Sequence, residues 1–432
     1  MDPSVKMKKS TCPAILLLMI LSVISFGEEG QDILRVQARK GDTQSQFRLA
    51  SEYFYGTDSR KQNIELALYW FRQAADGGLA EAQLNYAICL EQGFGCKADP
   101  KTALEYYRKA SQEGLSPAIY NMALLLLYGS DKNGARERMV VPQPEEAKKL
   151  LSSLVLKNYA PAMVELAAIW MLMKPEELTP DLKKKSFELL KKAATLPDNT
   201  PKGWRLLADC YVGGIGTDLQ PEKAIPLLKK AVEKKDLDSL PKLAFFYERG
   251  EFVKTDRQYA FRLYKEAAER GLAFAQFKYA EYIAEGFEEG AGFPVAMEWY
   301  GKSAQAKCPQ ALHKLGIIYR NGTGMKEPDP VKAATYFLEA ANLGMPQAQY
   351  ELANMFYIGD GIPRNERQAF LWFGKAALAG YTPAMRRVGQ CYYEGCGCEK
   401  DNEKAVEWIH AAAEAGDYIA RQMIEQNSRS GW

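Results

Sequence analysis

One unit of roughly 36 residues recurs about ten times between Gly41 and Gly416, and this period constrains the fold more than any other feature. Its clearest copy runs Ala348-Gln349-Tyr350-Glu351-Leu352-Ala353, then Tyr357-Ile358-Gly359-Asp360-Gly361, then Ala369 through Trp372-Phe373 to Ala377, and closes on Gly380. A small residue opens a first helix, A, in every unit: Ser45, Ala82, Ala118, Ala162, Gly203, Ser239, Ala275, Ala311, Ala348, Ala384 and a last one at Ala420. A second small residue marks helix B at Ala67, Ala103, Ala147, Ser186, Ala224, Ala260, Ala296, Ala333, Ala369 and Ala405. From each B marker to the next A marker the step is 15 residues, except for 17 between Ser186 and Gly203. Such a period predicts one array of stacked units in place of the several globular domains that 432 residues would otherwise suggest.

The spacing inside the unit predicts two helices. Tyr350, Leu352, Ala353 and Phe356 form one apolar stripe at helical spacing. Helix B carries an aromatic or leucine pair three residues after its marker, from Trp70-Phe71 and Tyr106-Tyr107 through Leu150-Leu151 and Leu189-Leu190 to Trp372-Phe373 and Trp408-Ile409. Beside a small residue, these pairs read as core between layers. A Gly-x-Gly turn separates A from B at Gly93-Gly95, Gly214-Gly216, Gly322-Gly324, Gly359-Gly361 and Gly395-Gly397. No strand precedes these turns and no Lys-Ser/Thr follows, so they are not phosphate loops. Asn63, Asp99, Asp256, Asp329, Asn365 and Asp401 are placed to cap helix B, with Pro100 and Pro330 at the first helical position.

With these residues in place, the chain resembles the Sel1-like repeat family, relatives of the tetratricopeptide repeats. Gln347 through Gly380, Ala82 through Gly114 and Ala311 through Gly344 match its pattern nearly throughout. The resemblance implies an all-α fold: a right-handed α-solenoid of about ten antiparallel helix pairs with the A helices on the concave side. It implies a scaffold or regulator that binds another protein or peptide. Some members resemble β-lactam-binding or hydrolysing proteins, which makes an envelope activity of that kind the alternative.

The domain reading follows the period. Residues 1–27 hold Lys6, Lys8 and Lys9, an apolar run from Ala14 to Ile24, and Ser25-Phe26-Gly27 with small residues at the cleavage positions, the layout of a signal peptide too short to span a bilayer. An exported, periplasmic or secreted protein is therefore expected, with no stable membrane span once the signal is removed. Residues 28–40 form a lead-in, 41–416 the repeats with an insertion at 130–140, and 417–432 a capping helix. Loss of Asp2, Lys6, Lys8 and Lys9 leaves 53 basic against 53 acidic side chains, a balance that disfavours nucleic acid as a partner.

Candidate binding residues occupy the fourth position of helix A, which varies and is mostly polar: Arg48, Asn85, Asn121, Glu165, Lys242, Lys278, Lys314, Glu351 and Arg387. Lys242, Lys278 and Lys314 fall in three consecutive units and predict a basic stripe suited to an acidic partner segment. Cys89 with Cys96 and Cys391 with Cys398 occupy the same two repeat positions, which suggests a disulfide clip across each turn, with buried thiols as the alternative. Cysteine-rich members of the family bridge helix B to the following helix A, a scheme that does not map onto these positions. Cys391, Cys396 and Cys398 have only His410 near them in sequence, so no metal set is assembled. His313 takes the place of Tyr350 in the packing seam, and His410 an outer position of helix B. Neither has a phased nucleophile or carboxylate, so the sequence points to no catalytic residue and no cofactor.

Overall fold

The structure, a computed structural model, describes residues 28–57, 60–131, 138–324 and 327–430. The expected signal at 1–27 lies outside the described residues, as do Lys132, Arg136 and Glu137 of the insertion. The chain divides into two units, Met1–Asp236 and Leu237–Trp432.

In the first unit α1 (Glu28–Arg39) precedes five helix pairs. These are α2 (Thr43–Tyr55) with α3 (Ile64–Asp76), α4 (Ala80–Gln92) with α5 (Pro100–Gln112), α6 (Ser116–Tyr128) with α7 (Pro144–Leu156), α8 (Ala160–Met171) with α9 (Pro180–Ala193), and α10 (Pro201–Gly213) with α11 (Ala224–Glu233). The second unit holds α12 (Ser239–Arg249) with α13 (Arg257–Glu269), α14 (Ala273–Ala284) with α15 (Phe293–Gln305), and α16 (Pro309–Asn321) with α17 (Pro330–Asn342). It continues with α18 (Pro346–Ile358) and α19 (Glu366–Leu378), α20 (Thr382–Glu394) and α21 (Asn402–Glu414), and a final α22 (Tyr418–Ser430). Within each unit every helix packs on its sequence neighbours, the antiparallel arrangement that short turns impose.

Local chemistry sets the helix limits. The carboxylate or amide of Asn63, Asp99, Asp256, Asp329, Asn365 and Asp401 accepts from the backbone N–H of the third helical residue, as the cap pattern requires. Both glycines of each Gly-x-Gly turn have positive φ. The second has a further duty, because a Cβ there would lie 2.9 Å from Ile64 O at Gly95, 2.3 Å from the Pro330 carbonyl carbon at Gly361 and 2.1 Å from Glu366 O at Gly397. The turn therefore rests against the start of the preceding helix B, and the glycine is needed for that close approach as well as for the turn. Helix B ends in the left-handed region at Gly114, Gly271, Gly344 and Gly380, but at Asn158, Lys235 and Lys307 in three units that lack the glycine.

The pair on helix B divides its work. Its second member, Phe71, Tyr107, Leu151, Leu190, Leu228, Tyr264, Tyr300, Phe337 or Phe373, is at most 1% exposed. Its first member is only partly buried at Trp70, Tyr106, Leu150, Trp299 and Tyr336. Repeats are also joined by a glutamine next to the A marker: the Nε2 of Gln46, Gln83, Gln276 and Gln349 donates to the carbonyl of Ala38, Ala75, Ala268 and Ala341 of the preceding helix.

The structure gives the lead-in at 28–40 a definite form. It is largely helical, and Leu34 and Ala38 are buried with Leu49 against Tyr53 and Trp70. Because Gln46 binds Ala38 as other glutamines bind a helix B, α1 stands where a helix B belongs. At the other end Arg421 Nε reaches Ala413 O at 3.0 Å, the same inter-repeat bond, so α22 stands as a helix A. Its third position is the exposed Gln422, where Phe47, Phe277 and Tyr350 are aromatic. The described ends of the insertion at 130–140 pair as a short antiparallel ribbon, β1 (Ser130–Asp131) with β2 (Arg138–Val140).

Candidate functional site

The fourth-position residues are not a free polar stripe. Asn85, Asn121 and Glu165 are buried, and Arg48, Lys242, Lys278, Lys314, Glu351 and Arg387 are half-buried. Periodicity explains why: a residue three places after the A marker points back over the preceding repeat, where it meets the seventh and tenth positions of the previous helix A and the buried ring of the previous helix B.

In the second unit this junction is a ladder of opposite charges. Lys278 Nζ lies 2.9 Å from Glu248 Oε1 in the preceding repeat and 3.1 Å from Glu281 Oε2 of its own helix. Lys314 Nζ approaches Glu281 Oε1 at 3.7 Å. At the next junction the charges are exchanged, with Arg320 at the tenth position and Glu351 at the fourth, 2.5 Å apart. Burial alone would lower the Lys278 ammonium, but the hydrogen bond to Glu248 and the charges of Glu281 and Glu248 hold it above its ordinary value. The lysines thus alternate with carboxylates, and the expected basic stripe is a row of mixed charge at Lys278 and Lys314. The sequence carried a signal for this pairing in the complementary charges at tenth and following fourth positions, Glu248 with Lys278 and Arg320 with Glu351.

Elsewhere the same position meets aromatic groups. Arg387 lies over the Tyr357 ring at 4.7 Å and the Phe373 ring at 5.4 Å, and donates to Gln390 Oε1 at 3.1 Å. In the first unit Glu165 accepts from the Tyr128 hydroxyl and pairs with Lys202 Nζ at 2.6 Å. The residues missed by sequence reasoning are the tenth-position partners, among them Glu91, which accepts from Tyr107 at 2.6 Å, and Glu248, which accepts from Tyr264 at 3.1 Å.

In this structure the cysteines of both pairs are free thiols. Cys96 Sγ faces the Cys89 carbonyl at 3.8 Å and Cys398 Sγ faces the Cys391 carbonyl at 3.5 Å, so each second thiol is turned to the backbone oxygen that ends helix A. Burial pushes the Cys89 and Cys391 thiols up to about 12, which keeps them protonated at neutral pH. His313 packs 5.6 Å from Phe337, as Tyr350 does from Phe373, in keeping with a seam residue. His410 is exposed on α21. Among the described residues no group of three or more His, Cys, Asp or Glu is placed to hold a metal ion, and no helix is long and apolar enough to cross a membrane.

This geometry of pairs, caps and junctions has counterparts. The chain is 26% identical to a protective antigen of uropathogenic Escherichia coli with an SLR fold, with a TM-score of 0.65 over 92% of this chain and 83% of that one. It is 28% identical to a chitin synthase regulator of Saccharomyces cerevisiae over 68% of this chain, and 29% identical to an exopolysaccharide production negative regulator of Rhizobium leguminosarum bv. viciae over 35%. The matches span 42% and 49% of those two relatives. The Sel1 repeat matches ten times, at residues 43–79, 80–115, 116–153, 160–198, 205–236, 242–272, 273–308, 309–345, 346–381 and 382–417. With ten copies phased on the observed helix pairs, the chain belongs to the Sel1 repeat family.

Proposed function

We propose that this protein is a non-enzymatic scaffold or regulator that binds a partner protein or peptide along the A helices, on the concave side of its repeats. The observation that carries the reading is the junction ladder, in which Glu248, Lys278, Glu281 and Lys314 link three repeats and Arg320 pairs with Glu351 at the next junction, all partly open to solvent. The side chains of Lys314, Arg320 and Glu351 are 40%, 29% and 24% exposed. Successive A helices also touch in both units, α8 with α10 and α14 with α16, which brings their side chains into one surface. Two relatives named as regulators support a regulatory role. Because the ladder alternates in sign, the partner it suits presents mixed charge rather than an acidic run.

Reversing a single lysine is a poor test, since it would also break a junction. Exchanging the pair, Arg320→Glu with Glu351→Arg, keeps the ion pair and inverts its polarity. Affinity capture followed by mass spectrometry is expected to recover a partner with the native chain and lose it with the exchanged one at unchanged thermal stability. Full retention of that partner would remove the A-helix face as the binding surface.

The protein acts outside the cytoplasm in this reading, with residues 1–27 removed on export. N-terminal sequencing of the native protein is expected to begin at Glu28, and a retained leader would overturn the cleavage site.

A further inference from the structure

At the junction between the repeat at 382–417 and α22 lies a groove of about 650 Å³. Its walls include Tyr393 and Glu394 from α20, Ile409 and His410 from α21, and Met423 and Ile424 from α22. The 36-residue step from Ala384 to Ala420 shows what has changed. Met423 stands where Arg387 stands one repeat earlier, Tyr393 where Tyr357 stands, and Ile409 where Phe373 stands. Glu394 takes the place of Ile358.

One repeat earlier, the slot is filled from within by the Arg387 guanidinium, stacked over Tyr357 and Phe373. At the groove that internal cation is replaced by a shorter, neutral thioether and one ring by an isoleucine, which leaves the volume open. A carboxylate has been added at its edge. Among the described residues Glu394 takes a hydrogen bond from the Cys396 thiol at 3.5 Å and belongs to no ion pair. Tyr393 already accepts the Lys400 ammonium over its ring at 5.1 Å, which shows that this ring attracts cations.

We propose that this groove binds an arginine side chain of a partner peptide, which occupies the slot that Arg387 fills one repeat earlier. The guanidinium stacks beside Tyr393 and pairs with Glu394, while its methylene stem lies on Ile409, Met423 and Ile424. A planar guanidinium suits a site with one aromatic wall and one carboxylate, because it stacks and donates in a plane at once. The groove repeats the fourth- and tenth-position register of the ladder at a later junction, which the Arg320–Glu351 exchange does not touch, so each proposal fails by its own test.

The test uses the full chain with labelled Met and Ile methyl groups, titrated by NMR with N-acetyl-arginine amide and, separately, with N-acetyl-leucine amide. The arginine probe is expected to shift the Met423, Ile409 and Ile424 methyls in a saturable way, and the leucine probe to leave them unmoved. Glu394→Gln is expected to weaken arginine binding roughly fivefold. Met423→Arg is expected to supply the plug from within, raise the melting temperature and abolish the response. Equal shifts with leucine amide would overturn the proposal by making the groove a merely apolar one. Silence with arginine, or unaltered binding by Glu394→Gln, would overturn it too, and the latter variant decides the matter should Met423→Arg not fold.

Discussion

At the scale of single residues, one hydroxyl separates repeats that look alike. Tyr107 and Tyr264 are buried on helix B and donate to a glutamate 16 residues earlier, Glu91 and Glu248. The residue 16 before Tyr300 is Ala284, and the Tyr300 hydroxyl is buried without a hydrogen-bond partner among the described residues. Removing the hydroxyl should therefore have opposite consequences. Tyr107→Phe is expected to lower stability by about 1–2 kcal/mol because it takes the hydroxyl donor from a half-buried carboxylate, whereas Tyr300→Phe should be neutral or slightly stabilising; urea unfolding of the two variants checks this. His313 gives a pH signature of its own. Burial holds its imidazole below the ordinary 6.5, against the pull of Glu351 and with the push of Arg320 and Lys314. The unfolded chain then binds the proton more readily than the folded one. The stability from neutral His313 is complete above about 6.5 and is lost as pH falls through the lowered folded value. Unfolding measured between pH 7.5 and 5 should show this decline, and His313→Phe should flatten it; an unchanged slope in the variant would exclude His313 as the cause.

At the scale of the helix and its turn, the two glycines of Gly359-Asp360-Gly361 have unequal standing. A Cβ at Gly359 would approach no atom closer than 3.3 Å, whereas at Gly361 it would press on the backbone of Pro330 and Val331 at 2.3–2.7 Å. Both positions have positive φ, so alanine at either one is strained, but only the second also forces adjacent repeats apart. Gly361→Ala is expected to cost about 3 kcal/mol and Gly359→Ala about 1 kcal/mol, as read from thermal or urea unfolding. Equal losses would show that turn conformation alone sets the requirement. The same reasoning explains α1. It lacks the turn and cap signals of a full repeat, so its pattern was weak in sequence, yet Leu34 and the Gln46–Ala38 bond give it the contacts of a helix B.

Across the molecule, the order of the chain and the order of packing coincide within each unit, and most of the fold was legible for that reason. Each repeat contacts its neighbours, so markers 36 residues apart fall at equivalent places and local spacing is enough to place helices, caps and turns. The surroundings of the fourth-position residues were less legible. Fourth-position side chains look alike along the sequence whether they face solvent or the preceding repeat, and only packing reveals that Lys278 meets Glu248 and Glu281 while Arg387 meets two rings.

The family, the number of helix pairs, their caps and their buried rings could all be read from residue order, because these depend on hydrogen bonds and apolar spacing within one repeat. Packing alone reveals which polar residues join repeats, why Gly361 admits no side chain, and where Met423 leaves a groove. These depend on contacts between separate helices, many of them between residues about 30 positions apart, and such contacts exist only once the helices have stacked.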